Sequence, residues 1–295
     1  MFLILKESLN AKGVLMKNWK DIIRHQTFRY IDHSNQPTFH GEPYTAMTSF
    51  AIDDALALSV SDEQSPPAVR LWVHDETIVL GIPDGKLPYI AEGIAYLQQA
   101  EKQVVIRNSG GLAVALDKGV LNISLILPGV KQLSIQDCYE AMVSFVQYML
   151  HDLTDAIEAY EIVQSYCPGD YDLSINGRKF AGISQRRVKD GAAIQIYLDV
   201  EGNSKERATL IQQFYKIGKK NEETSFSYPN VDPSVMGSLS ELLGIDLTVQ
   251  DMKQRVTQAL AVFSENVVTM DFSDEEISHF EKRLKQMQKR NEKIQ

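Results

Sequence analysis

Asn176-Gly177 constrains this chain more tightly than any other pair of residues in it. Both residues of such a turn take positive φ, and a two-residue loop of this kind closes a β-hairpin. The pairing then places Ile175 opposite Arg178, Ser174 opposite Lys179 and Leu173 opposite Phe180. Side chains alternate along a strand, so Lys179 shares a face with Ser174 and Asp172, away from Leu173, Ile175 and Phe180. Just upstream, Cys167 stands on an irregular Pro-Gly segment. A lysine on the polar face of the hairpin can meet that thiol in space. A neighbouring cation favours the thiolate, the form that acts as nucleophile. The spacing leaves a second reading open, in which Cys167 is a small buried hydrophobe and Lys179 a solvated hairpin residue.

The remaining segments predict an α+β fold. Phe28–Asp32 alternates as a first strand, and Ala46–Ser59 has helical spacing. Ala68–Leu80 reads as two strands, and Pro88 opens a helix to about Lys102. Val104–Arg107 is a short strand leading into Asn108-Ser-Gly-Gly. Ala113–Leu116 and Val120–Leu127 are expected to pair across Asp117-Lys-Gly119. Ser134 and Asp137 form a capping box for a helix to about Leu150. Ala156–Tyr166 and Ala192–Val200 read as strands and Ser204–Ile217 as a helix, with a lysine-bearing loop over Lys216–Lys220. The end is expected to be helical, with starts at Ser238/Glu241, Thr248/Asp251 and Ser273/Glu276. Strands interrupted by helices without regular βαβ alternation predict a mixed sheet flanked by helices.

Composition excludes several classes. A formal net charge of −9 argues against nucleic-acid binding. Two cysteines, Cys138 and Cys167, make no disulfide framework and suit a reducing cytoplasm. No apolar run approaches the ~18 residues of a membrane span, and no targeting segment is evident. Residues 1–15 read as dispensable, with Met16 a candidate natural start. The six histidines show no zinc-ligand spacing with either cysteine, so no metal is expected. There is no P-loop and no dinucleotide fingerprint. Arg107-Asn-Ser-Gly-Gly-Leu112 has two readings. It is a plain strand-to-strand turn, or a loop whose glycines let the backbone approach a ligand and leave N–H groups free. Cys138 falls inside an amphipathic helix and reads as core.

Taken together, these segments resemble the biotin/lipoate protein ligase–transferase superfamily. Arg107–Val114 is similar to the family's Arg-x-Ser-Gly-Gly-Gly-x-Ala-Val loop, Gly119–Asn122 to its Gly-x-Leu-Asn strand, and Asn176–Gly182 to its Asn-Gly-Arg/Lys-Lys-Ile-x-Gly hairpin. Leu71-Trp72 and Thr77–Gly81 resemble its N-terminal strand pair, and the likeness covers about residues 45–200. The resemblance implies a catalytic-domain fold of that family with a helical C-terminal segment. Its implied division is an N-terminal extension over 1–27, an acyltransferase domain over 28–232, and helices over 233–295 packed on the same domain. The acyl ligand would lie between the glycine loop and the hairpin lysine. Arg107, Ser109, Gly110, Gly111, Leu112, Asn122 and Gly182 are the implied substrate-binding residues, with Ala113 and Ile183 as further candidates beside the chain.

Departures from the ligase pattern point to one branch. Leu112 replaces the third glycine of the loop, which speaks against ATP-dependent adenylation. Cys167 stands where the octanoyl-transferring branch carries its nucleophile, paired with the hairpin lysine. The implied activity is an amidotransfer without cofactor. Octanoyl would move from a lysine of the glycine-cleavage H protein, through a Cys167 thioester, to lysines on lipoyl domains of 2-oxoacid dehydrogenase complexes. Alternatives are a transferase using octanoyl-acyl carrier protein, an ATP-dependent lipoate or biotin ligase, and a non-catalytic module that binds acyl carriers.

Overall fold

The strand Val120–Leu127 is buried along its whole length, as expected for a sheet covered on both faces. In the computed structural model, which describes residues 19–292 and Ile294, it lies inside a mixed eight-stranded sheet. From the N-terminal side, helix α1 (Trp19–Ile23) leads to β1 (His25–His33), the short strands β2 (Thr38–Phe39) and β3 (Glu42–Pro43), and helix α2 (Ala46–Ser61). Strands β4 (Ala68–Trp72) and β5 (Thr77–Leu80) precede α3 (Ile90–Gln99), β6 (Gln103–Ile106), β7 (Val114–Leu116) and β8 (Val120–Leu127). Helix α4 (Ile135–Leu150) is followed by β9 (Ile157–Ala159), β10 (Leu173–Ile175), β11 (Arg178–Val188) and β12 (Gly191–Asp199). The last part holds α5 (Ser204–Lys219), α6 (Leu239–Leu243), α7 (Val249–Phe263), β13 (Ser264–Val268) and α8 (Asp274–Asn291).

The large sheet runs β13-β1-β4-β8-β12-β11-β10-β9. Strand β1 is parallel to β13 and β4, and the other pairs are antiparallel. Alternation along β8 sends Leu121, Ile123, Leu125 and Leu127 into a core with α4 and α7, while Ile126 packs with α2 and α8. A second sheet, β6-β5-β7, packs with α3 and α5 around Ile78, Leu80, Leu97, Ile211 and Phe214. Helix α2 is apolar on nearly every side. Its buried carboxylate, Asp53, receives Arg70 Nε at 2.8 Å, Ser124 Oγ at 2.7 Å and Gln195 Nε2 at 2.6 Å. Those bonds offset the desolvation of a charge that has no access to water.

Four expectations about the elements are corrected. The segments β7 and β8 do not pair across Asp117-Lys118-Gly119. Both edges of β8 are occupied by β4 and β12, and β7 joins β5 in the small sheet. The strand expected over Ala156–Tyr166 reduces to β9, because the chain beyond it bonds to the Asp172 side chain instead of a ladder. The C-terminal part is not wholly helical, since β13 lies along the outer side of β1 and covers an edge otherwise open to pairing. Helix α5 also continues through Lys219, into the span read as a loop. Of the expected N-terminal extension, residues 1–18 with Met16 lie outside the described residues. Trp19–Ile23 and His25 onward already belong to α1 and β1, and Ile22 and Ile23 enter the α4/α7 core.

Helix α8 is locked onto β1 by a buried ion pair. Arg29 Nη1 lies 2.7 Å from Glu276 Oε1, and the other carboxylate oxygen caps the helix by accepting Ser273 N–H at 3.0 Å. Glu276→Ala leaves Arg29 buried without its counter-charge. Urea unfolding is expected to show a loss of about 3 kcal/mol, the usual cost of removing one partner of a buried pair; a loss under about 1 kcal/mol would be the value of an exposed pair.

Candidate active site

The Asn176-Gly177 turn forms with both residues at positive φ, and Ile175 pairs with Arg178 and Ser174 with Lys179. Beyond these pairs the register shifts, and Leu173 faces Ala181 instead of Phe180. The extra residue is a β-bulge, which changes the phase of alternation along β11. In a regular strand, positions 179 and 182 point to opposite faces. Here a Cβ on Gly182 would stand 3.5 Å from Lys179 Cε and 2.7 Å from the Tyr197 ring. The bulge therefore brings Lys179 and Gly182 to one side, and the missing side chain at 182 makes room for Tyr197.

Lys179 is fully buried. Its ammonium lies 2.8 Å from Asp172 Oδ1 and donates to Ser165 Oγ at 3.1 Å, the Tyr166 carbonyl at 3.0 Å and the Cys167 carbonyl at 2.8 Å. Asp172 in turn accepts the N–H groups of Ile162 and Gly169, each at 3.2 Å. Burial pushes the Asp172 carboxyl upward, against the pull of the Lys179 ammonium and these N–H groups. The pair pins the loop on which Cys167 sits. Cys167 itself has φ of +50°, a left-handed conformation that few residues other than glycine adopt without support.

The sulfur is held from the other side. Leu112 N–H donates to Cys167 Sγ at 3.1 Å, and Arg107 Nη2 reaches the same atom at 3.4 Å. Arg107 is steadied by the Leu112 carbonyl at 2.9 Å. The hydrogen-bond donors on the sulfur are thus a backbone N–H and a guanidinium from the glycine loop, while Lys179 binds the carbonyl of the same residue. Gly111, at φ +103°, permits this. A Cβ there would lie 2.2 Å from Arg107 Nη2 and 2.9 Å from Cys167 Sγ. A Cβ on Gly110 would meet nothing within 4 Å.

Cys167 opens onto a cleft of about 470 Å³ lined by Arg107, Gly110, Gly111, Gly182, Ile183 and Tyr197 among others. A recess of about 30 Å³ adjoins it, bounded by Phe50, Trp72, Val79, Leu116, Asn122 and Ile196, and shares Arg107, Val114, Gly182, Ser184 and Tyr197 with the cleft. Nine of the residues singled out in the sequence thus meet at this place: Cys167, Lys179, Arg107, Gly110, Gly111, Leu112, Gly182, Ile183 and, in the recess wall, Asn122. Ser109 is buried behind the loop, with Ser184 Oγ 3.5 Å from its hydroxyl. Leu112 packs beside Cys167. Ala113 is buried, its N–H bonded to Tyr215 Oη. Tyr197 was not legible in the sequence. It is buried with its ring stacked on that of Tyr166 at 5.9 Å between centroids, and burial raises its hydroxyl well above the usual phenol range. Cys138 is buried in α4, where burial pushes its thiol up. Among the described residues no group of His, Cys, Asp and Glu is arranged to hold a metal ion, and no helix is long and apolar enough to cross a membrane.

A glycine loop from a small sheet, facing a cysteine and a buried lysine on a hairpin of the large sheet, defines a class. The chain belongs to the lipoyl protein ligase A/B catalytic-domain family, whose profile matches residues 45–261. It is 68% identical to the octanoyl-[GcvH]:protein N-octanoyltransferase of Oceanobacillus iheyensis, over 94% of this chain and 99% of that protein. It is 43% identical to the lipoyl-[GcvH]:protein N-lipoyltransferase of Listeria monocytogenes, over 92% of this chain and 97% of that one. Among solved structures, lipoate-protein ligase A bound with ATP superposes with a TM-score of 0.65 at 14% identity, over 88% of this chain and 94% of that one. That likeness concerns the fold.

Two expected outcomes follow from the geometry. Gly111→Val places a branched side chain against the sulfur and the guanidinium. It is expected to slow alkylation of Cys167 by at least about tenfold and, because a β-branched residue at positive φ is strained, to lower the melting temperature, whereas Gly110→Ala is expected to lose far less of both. Lys179→Met removes the cation from a buried carboxylate and the donor from the Cys167 carbonyl. Iodoacetamide labelling of Cys167 is expected to change several-fold, with a stability loss of about 3 kcal/mol. Arg178 bonds instead to the Met236 carbonyl and Glu241, so Arg178→Met is expected to label like the parent. The reverse pattern would contradict this assignment of the two hairpin cations.

Proposed function

We propose that this chain is a protein N-octanoyltransferase of lipoate assembly. It moves octanoyl from a lysine of the glycine-cleavage H protein to lysines on lipoyl domains of 2-oxoacid dehydrogenase subunits. The supporting observation is a thiol at the wall of an open cleft, held by a backbone N–H and a guanidinium and adjoined by a small, partly apolar recess. The close relatives named for octanoyl or lipoyl transfer from GcvH support the same reading.

In this reading Cys167 thiolate attacks the octanoyl amide carbonyl. A C–S bond forms, the C–N bond breaks, and the donor lysine leaves as an amine after taking up a proton. The acceptor lysine, as free amine, then attacks the thioester. A new C–N bond forms, the C–S bond breaks, and the thiolate is restored as the amine gives up its proton. An amide is broken and an amide made, so no ATP enters. The Leu112 N–H is the backbone donor at hand for the developing oxyanion. Arg107 balances charge on the sulfur, and Lys179 holds Cys167 in its left-handed conformation and supplies the acidic protons nearest its carbonyl. The recess, of about 30 Å³, holds no more than a water or two, so an eight-carbon tail finds its room in the adjoining cleft of about 470 Å³.

Intact-mass analysis after exposure to octanoylated H protein tests the proposal. The parent is expected to gain one octanoyl group. Cys167→Ser is expected to lose the adduct and nearly all turnover, and Cys138→Ser to keep both. Labelling from octanoyl-acyl carrier protein alone would reassign the donor, and formation of an acyl adenylate from ATP would make the chain a ligase.

A further inference from the structure

Neither Asp84 nor Tyr215, which falls within the expected helix Ser204–Ile217, was singled out in the sequence as a site residue, yet both reach the glycine loop. Asp84 follows β5 on a short 3-10 turn and is fully buried. Its Oδ2 accepts the Gly81 N–H at 2.7 Å, and its Oδ1 accepts the Tyr215 hydroxyl at 2.9 Å. Tyr215 Oη accepts the Ala113 N–H at 3.1 Å. Ala113 directly follows Leu112, the residue whose N–H meets the Cys167 sulfur and whose carbonyl steadies Arg107. On the other side of the loop, Gly81 abuts the Gly111 carbonyl so closely that a Cβ would fall 1.8 Å from its oxygen. One buried carboxylate therefore ties down both the strand end against which Gly111 rests and the tyrosine that receives Ala113.

We infer that Asp84 and Tyr215 are positioning residues of the acyl-transfer site, setting where the Leu112 N–H and the Arg107 guanidinium meet the Cys167 sulfur. The inference rests on Cys167 being the residue that carries the acyl group. Neither residue touches the sulfur, so both act only through the loop. No cation is bonded to Asp84 among the described residues. Burial pushes its carboxyl up to about 6, with the Gly81 N–H and the Tyr215 hydroxyl pulling the other way. An apolar side chain would fill this place without that desolvation cost. What it would not supply is two fixed acceptors, one for Gly81 and one for the tyrosine.

Tyr215→Phe deletes one oxygen and keeps the ring packed against Phe214 and Tyr228. The rate of iodoacetamide labelling of Cys167 at neutral pH and the single-turnover rate of acylation by octanoyl-H protein are expected to fall together by about tenfold, about the worth of one lost hydrogen bond. The KM for the donor is expected to change less than the acylation rate, because Tyr215 itself does not line the cleft. Asp84→Asn can still accept from Gly81 but turns an N–H toward Tyr215 Oη, which loses the acceptor for its own hydrogen, so both rates are expected to fall as they do in Tyr215→Phe. Tyr228→Phe is the matched control, since its hydroxyl bonds the Pro83 carbonyl at 2.6 Å and not the loop; it is expected to label like the parent. If Tyr215→Phe lowers the melting temperature but labels and acylates at the parent rate, the role is structural only and the inference falls. If the parent takes no octanoyl from H protein, it is the proposed function that fails, and the labelling series alone then upholds or overturns the positioning role.

Discussion

The Lys179 ammonium is fully buried, and four oxygen atoms of the protein surround it. A charge buried this deeply is tolerated only when it is paired and its N–H groups are all used. Much of the site follows from that requirement. Asp172 must stay beside it, and in doing so gathers the N–H groups of Ile162 and Gly169. The irregular chain between β9 and β10 is thereby folded back over the hairpin. The Cys167 carbonyl is one of the four oxygens, so the left-handed conformation of that residue is supported by the same ammonium.

The sulfur of Cys167 is served from a different quarter. Leu112 and Arg107 belong to the loop between β6 and β7, in the small sheet, whereas the cysteine and lysine belong to the large one. The thiol and the donors on its sulfur thus meet across a boundary between two packed sheets. Each half is rigid for its own reasons: the hairpin through its ion pair, the loop through Gly111 and the Asp84–Tyr215 contact. Division of labour between the two cations also fits their chemistry. A guanidinium keeps its charge while sharing donors between the Leu112 carbonyl and the sulfur, and the compact ammonium satisfies a ring of oxygens.

A fold shared with lipoate-protein ligase A at 14% identity shows how little of the architecture depends on particular residues. The sheet order and flanking helices need only buried apolar strands such as β8 and the capped helices α4, α7 and α8. Leu112 stands where the ligase pattern has a third glycine, and here its backbone N–H is directed at the sulfur.

Local rules carried much of this chain's reading. The Asn176-Gly177 turn, the capping boxes at Ser134, Thr248 and Ser273, and the apolar spacing of the helices depend on interactions within a few residues, and they formed as those rules require. The pairing of Lys179 with Ser174 was legible for the same reason. Tertiary structure decided the rest. The bulge at Phe180, which turns Gly182 to the lysine's side, arises where β11 must also pair with β12. Only packing of the small sheet against the large one set Arg107 and Leu112 on the sulfur and left Lys179 to the carbonyl. Strand β13 is short and mostly exposed, with no apolar alternation to announce it, and exists because β1 offers it an edge. Asp84 and Tyr215 stand 131 residues apart, a separation across which no local pattern carries a signal and only the folded core can join a carboxylate to a phenol.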